Sequence, residues 1–281
     1  MTVTAGRNIA MTDPLGIPVP RAPSQLVHLM HPTSAAVLGN DIYVLDAGLN
    51  GLFRYEMGND VLVRVAGVPA LPGGQVRVLS DHTILVLDPA RRRVVRMDRG
   101  GRTLRIYADD SNLARPVAMA ADEAEQMLFV ADGTLPRIVA FRLGSGAGST
   151  IVPVSTERAR VHAIGGLAAG DRVLYLVDPI MRQVVVLAHD GTIVRVFGHG
   201  DLMRPHGIGV DAQGRVWVLD APPQALKLFE GGRMAPALGG VAGRLAALAD
   251  ISIGGNVMAL ADPGSTRVQV MRIVPAGTGT R

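Results

Sequence analysis

Cysteine is absent from the chain, which excludes disulfides, Cys-ligated zinc, iron–sulfur clusters and thiol chemistry. Aromatic residues are scarce, with one Trp, four Tyr and five Phe among 281 residues. The core must therefore be Val, Leu, Ile and Ala. Lysine occurs once, as Lys227, among 28 basic residues that face 24 acidic ones. Arginine does not titrate near neutrality, so a formal net charge of only +4 lifts the pI to 10.1. The chain is mildly basic, too weakly so to mark it for nucleic acid. Charged residues make up 19%, which argues against disorder. No apolar run is long enough for a transmembrane helix, so no membrane insertion is expected. The first twenty residues lack the continuous apolar core of a signal peptide. As numbered, the chain reads as cytoplasmic; with a leader removed it would read as periplasmic or extracellular.

Glycine and proline are abundant, at 34 and 18 residues, and many turns in a globular chain imply many short strands. A short apolar strand ending in Asp recurs six times: IYVLD to Asp46, ILVLD to Asp88, LFVAD to Asp132, LYLVD to Asp178, VWVLD to Asp220 and VMALAD to Asp262. The spacings are 42, 44, 46, 42 and 42 residues. Six residues after each Asp a second strand opens on an aliphatic: Leu52, Val94, Ile138, Val184, Leu226 and Val268. A turn and a further strand follow. Asp190-Gly191 reads as a type I′ hairpin turn, and Gly100-Gly101 and Gly231-Gly232 as similar turns. Another strand precedes each Asp segment, so each repeat is four antiparallel strands.

A four-stranded unit of this period is one blade of a β-propeller, and stacked blades bury each other's faces. The expected fold is all-β, a single six-bladed propeller over residues 23–273, with tails at 1–22 and 274–281. Repeat six lacks a fourth strand, and SQLVHLM at 24–30 is a spare strand ahead of repeat one. Pairing the two closes the ring with an N-terminal strand and removes two edges. LGSGAGS at 143–149 reads as the most flexible internal loop.

The segment RPHGIGVDAQGRVWVLD, with Pro205, Gly207, Ile208, Val210 and Asp211, resembles the opening of an NHL repeat. Arg93, Arg137 and Arg267 stand where that repeat carries its Arg-aliphatic pair. The resemblance spans residues 24–273 and implies the propeller fold. It does not choose a function, because NHL-type propellers include protein-binding scaffolds, RNA-binding domains and a zinc-dependent lyase. The Asn expected in the loop after the Asp is present only as Asn50, and repeat six has ADISIGG in place of the opening.

Aligning the repeats places His31, Arg115, Arg160 and Arg204 at one position beside the channel mouth, and His162 and His206 two residues further on. The arginines suit a carboxylate, a phosphate or an acidic protein segment. The histidines suit a single divalent metal or an acid/base pair, but two are fewer than the three protein ligands usual for catalytic zinc. Their structural reading is that each holds a loop carbonyl. No cofactor is expected. The six Asp residues read as structural acceptors for the N–H groups of the next turn. Blade two crowds seven arginines into fifteen residues: Arg91, Arg92, Arg93, Arg96, Arg99, Arg102 and Arg105. That density suits phosphate backbone, but only Tyr107 lies near to stack on a base. Leu49, Leu135, Ile180-Met181 and Pro222-Pro223 are apolar loop tips suited to protein contact.

No G-x-S-x-G, P-loop, H-E-x-x-H or dinucleotide fingerprint occurs. The reading favoured is a non-catalytic binding or scaffold module presenting a loop-rich face to a protein partner in a larger assembly. The alternatives are a metal-dependent lyase or hydrolase at the channel mouth, and nucleic-acid binding through blade two. Oligomeric state is left open.

Overall fold

The Asp-terminated strand, second from the axis in every blade, is apolar almost throughout, as a strand covered on both faces must be. In a computed structural model of the chain these strands are buried along nearly their whole length. The structure describes residues 2–3, 9–10, 28–58, 61–69, 71–145, 148–154, 161–222, 225–236 and 247–273.

Blade one runs Pro32–Leu38, Asp41–Asp46, Gly51–Glu56 and Val61–Val65 from axis to rim. Blades two to five repeat that order, with inner strands Val76–Val78, Pro116–Asp122, Gly166–Gly170 and Gly207–Val210. Blade six holds Asp250–Gly254, Val257–Asp262 and Arg267–Arg272, all antiparallel. Its fourth strand is Thr2–Val3, with Thr2 opposite Gln269 and Val3 opposite Val268. The fold is therefore a six-bladed propeller closed by an N-terminal strand.

The closing segment differs from the one expected. Residues 28–30 of the spare strand are not strand, and residues 24–27 lie outside the described residues. Main-chain pairing needs only a short extended piece, so sequence pattern gave little to choose between candidates. Ile9–Ala10 also pairs, running parallel to Val61–Val65 as a fifth strand on blade one. The tail at 274–281 and residues 146–147 of the 143–149 loop lie outside the described residues.

Six apolar layers hold the ring, one between each pair of neighbouring blades. Ala35, Val44 and Phe53 of blade one meet Ala259, Ala261 and Val268 of blade six. Closure therefore rests on the same burial as every other blade contact, with the N-terminal strand added at the rim. The inner strands line a central cavity of about 180 Å³, walled by Val37, Met119, Ala168, Val210 and Ile251 among others.

A polar contact in the channel strengthens the seam. Arg77 of blade two donates from both terminal nitrogens to Asp250 of blade six, at 2.8 and 2.9 Å. Ser34 of blade one donates to the same carboxylate and accepts the Val76 N–H at 3.0 Å. Asp250 and Ser34 are buried, so blades six, one and two share one satisfied network.

The turns differ in type. Gly231 and Gly232 both have positive φ (56° and 82°), as a type I′ turn requires. At Asp190-Gly191 and Gly100-Gly101 only the second residue does (φ 90° and 95°). There the Gly191 N–H donates to Ala188 and the Ala188 N–H to Thr192, giving a three-residue loop rather than the expected type I′ turn. A side chain at Gly101 would sit 2.1 Å from the Ala66 carbonyl oxygen, so only glycine fits.

Candidate functional site

The buried Asp at the end of each second strand fixes one face of the disc. Asp132 accepts the N–H groups of Ala114, Arg115, Thr134 and Leu135 at 2.6–3.2 Å. The first two precede the inner strand; the last two follow the Asp. One carboxylate thus clamps two loops of the same blade together. Asp46 does this with Met30, His31 and Leu49, and Asp178 with His162, Ile180 and Met181. Asp220 holds Met203 and Arg204, and Asp262 holds Ala247 and Ser265. Asp88 departs from the pattern, binding the Arg91 N–H and the side chains of Arg91 and Arg93. The structural reading of these carboxylates holds, with a second loop that the sequence did not reveal.

Four residues after the Asp the chain turns left-handed, at Asn50, Arg92, Arg182 and Thr266 (φ 51° to 55°). Asn tolerates this conformation best, which explains the Asn in the repeat pattern.

Burial pushes the Asp132 carboxyl up, but the N–H groups of Arg115, Thr134, Leu135 and Ala114 together hold it below the usual carboxylate range. Asp220 is likewise lowered: burial raises it, and Lys227 with the Met203 and Arg204 N–H groups outweighs that. Lys227, the single lysine, lies buried 2.8 Å from Asp220 and also donates to the Asp201 carbonyl.

The clamps reset the alignment of the predicted site residues. His31, Arg115, His162 and Arg204 each give their N–H to the blade's Asp and so occupy one register. His162 and His206 are not equivalent. His206 donates its N–H to Leu219, and the residue doing the same in blade four is Gly165, which bonds Val177. Blade four holds one more residue between clamp and ladder, a difference invisible to a two-residue offset. Arg160 lies outside the described residues.

Both ring nitrogens of His206 lie against backbone carbonyls, Arg204 at 3.1 Å and Leu248 at 2.8 Å. The ring ties blade five to blade six. His162 is exposed, with Nδ1 3.8 Å from Asp178. Among the described residues no three His, Asp or Glu side chains gather as a metal site. Arg115 turns back to the Gly133 carbonyl at 2.6 Å. His31 is exposed on the same face. Arg204 is exposed, and its guanidinium has no hydrogen-bond or carboxylate partner among the described residues.

The arginines of blade two are engaged. Arg91 and Arg93 reach Asp88 at 3.1 and 3.3 Å, and Arg92 reaches Asp110 at 3.2 Å. Arg96 pairs with Asp81, Arg99 with Asp41 and Arg102 with Asp98. Arg105 donates to the Ser145 carbonyl.

Between blades four, five and six the clamped face opens into a cleft of about 520 Å³. Pro179, Pro205, Pro222 and Leu248 wall it, and Arg204, His206 and Asp220 supply its polar groups. Ile180 and Met203, next to Pro179 and Arg204 in the chain, are 62% and 55% exposed. Met181, Leu135 and Met30 are further exposed apolar side chains of this face. Leu49 is only partly exposed and packs against the layer between blades six and one. Pro223 lies outside the described residues. The cleft itself was not legible in the sequence, because its walls come from three blades.

No protein-family model and no curated protein matches the chain. Solved structures do. A structural genomics protein of unknown function from Bacteroides thetaiotaomicron superposes with a TM-score of 0.73 at 15% identity, over 97% of this chain and 76% of that one. A catalytically inactive virginiamycin B lyase from Staphylococcus aureus, crystallised with quinupristin, gives 0.65 at 14% identity, over 91% and 86%. A nidogen/laminin complex gives 0.62 at 14% identity, over 76% and 83%. Likeness at such low identity establishes the propeller fold alone.

Proposed function

We propose that the chain is a non-catalytic binding module that docks a protein partner on its clamped, loop-rich face, as a subunit of a larger assembly. The observation that carries this reading is the convergence of Met30, Leu135, Ile180, Met181 and Met203, all exposed, on that one face. Large apolar side chains held out on a rigid face suit burial against a partner. The other large exposed apolar side chains among the described residues, Leu104, Ile106, Ile151, Val194, Val196 and Met234, lie on the outer strands of four different blades. The NHL resemblance is compatible with a scaffold of this kind.

The test is co-purification from the native source with wild type and with Ile180→Ser/Met203→Ser. A partner retained by the wild type should bind the variant at least about tenfold more weakly, since two anchors are removed. The melting temperature should stay within about 2 °C, as exposed positions contribute little to stability. Equal retention of the partner by the variant defeats the reading.

The enzyme reading draws on the virginiamycin B lyase fold, but each ring nitrogen of His206 faces a backbone carbonyl, so neither is turned outward toward a metal. Adding EDTA is expected to leave the melting temperature unchanged. A fall reversed by a divalent cation would restore that alternative. The blade-two arginines favour a structural role over nucleic acid, because each already has a partner.

A further inference from the structure

We propose that the cleft at Arg204 receives an acidic side chain, flanked by an aliphatic residue, from an extended segment of the docking partner. The proposal rests on the reading that this face binds a protein, and it names the chemistry recognised there.

The cleft carries one uncommitted charge among the described residues. Asp220 is the one carboxylate among the residues walling the cleft, and it is satisfied by Lys227 and the N–H groups of Met203 and Arg204. His206 is held between two carbonyls and acts as a fixed wall. Of the residues lining the cleft, Arg204 is the one whose charged group has no partner among the described residues. Its counterpart Arg115, in the same register, is turned back onto Gly133. A cleft with a free guanidinium and no free anion is complementary to a carboxylate, which the planar fork binds through two parallel hydrogen bonds.

The surroundings specify the neighbours of that carboxylate. The walls are Pro179, Pro205, Pro222, Leu248 and three alanines, and the exposed Ile180 and Met203 adjoin Pro179 and Arg204 in the chain. Such a lining buries hydrocarbon on either side of the ion pair. A volume of about 520 Å³ holds a few side chains of an extended segment, not a folded domain. Arg204 is positioned through its own N–H on Asp220, so the clamp that shapes the loop also aims the cation. Truncating its side chain leaves that backbone bond in place.

The experiment is selection of a random heptapeptide phage library on the immobilised full chain, with the selected peptides synthesised and their affinities measured. Peptides from the wild type should carry Asp or Glu at one fixed place beside an aliphatic residue. They should bind Arg204→Ala at least tenfold more weakly, with an unchanged melting curve. Replacing the peptide's acidic residue by its amide should cause a similar loss on the wild type and little further loss on Arg204→Ala. Peptides without a carboxylate, peptides that bind Arg204→Ala equally well, or no enrichment at all would overturn the proposal. Ile180→Ser/Met203→Ser separates the two ideas. Carboxylate-free peptides that lose affinity on that variant defeat the inference and leave the docking face standing. Peptides insensitive to both variants defeat both.

Discussion

Asp250→Ala is expected to lower the stability of the propeller by about 3 kcal/mol, the lower end of the range for breaking a buried ion pair by removing one partner. Arg77 would keep its charge facing the channel, and the Ser34 hydroxyl would lose its acceptor while still holding the Val76 N–H. The lower end applies because Arg77 borders the central cavity and keeps some contact with water. For a domain of this size the loss corresponds to a fall in melting temperature of roughly 6–12 °C. Arg77→Met/Asp250→Leu should recover most of it, since the uncompensated charge is then gone. Thermal melts of the wild type and these two variants decide the matter. A fall of less than about 2 °C for Asp250→Ala would show that the apolar layers alone hold the seam. The network joins residues 173 apart in sequence, so it is present only when the ring has closed.

Asp132→Ala removes the acceptor of four N–H groups in blade three. Each part-buried donor left without a partner costs on the order of 1 kcal/mol, so a loss of about 3–4 kcal/mol is expected by urea denaturation at neutral pH. Asp132→Asn should lose less, because the amide oxygen still accepts two of these bonds. The carboxylate also sets a pH dependence. Its folded-state pKa lies below the unfolded value, so its contribution is complete above about pH 4 and is lost as pH falls through the folded value. Asp220 adds to the same acid instability. The wild type should therefore destabilise in acid more steeply than Asp132→Asn. Parallel profiles for the two proteins would show that the clamp works through geometry alone.

The repeat carried the fold in the sequence. Each apolar-Asp strand is local, and its burial on both faces follows from composition, so six copies at an even period imply six stacked blades. The roles of the Asp residues were legible for the turn that follows them, because those N–H groups lie two or three residues away. The second half of each clamp lies 15 to 18 residues upstream and depends on how the inner strand returns to the face. His162 was misplaced although its position could be counted from the Asp: it stands 16 residues before Asp178, as Arg204 stands before Asp220. Arg77, Ser34 and Asp250 drew no notice in the sequence, since each is ordinary in its own strand.

What the sequence determined by itself was the number of blades, their strands, the structural nature of the six carboxylates and the exclusion of cysteine chemistry. These follow from local spacing and residue type. Tertiary structure decided which N-terminal segment closes the ring, how the seam is locked, which partners the blade-two arginines take, and that Arg204 stands at a cleft with no partner among the described residues. These depend on which atoms from different blades come within a few ångströms of one another, and only the closed ring brings them there.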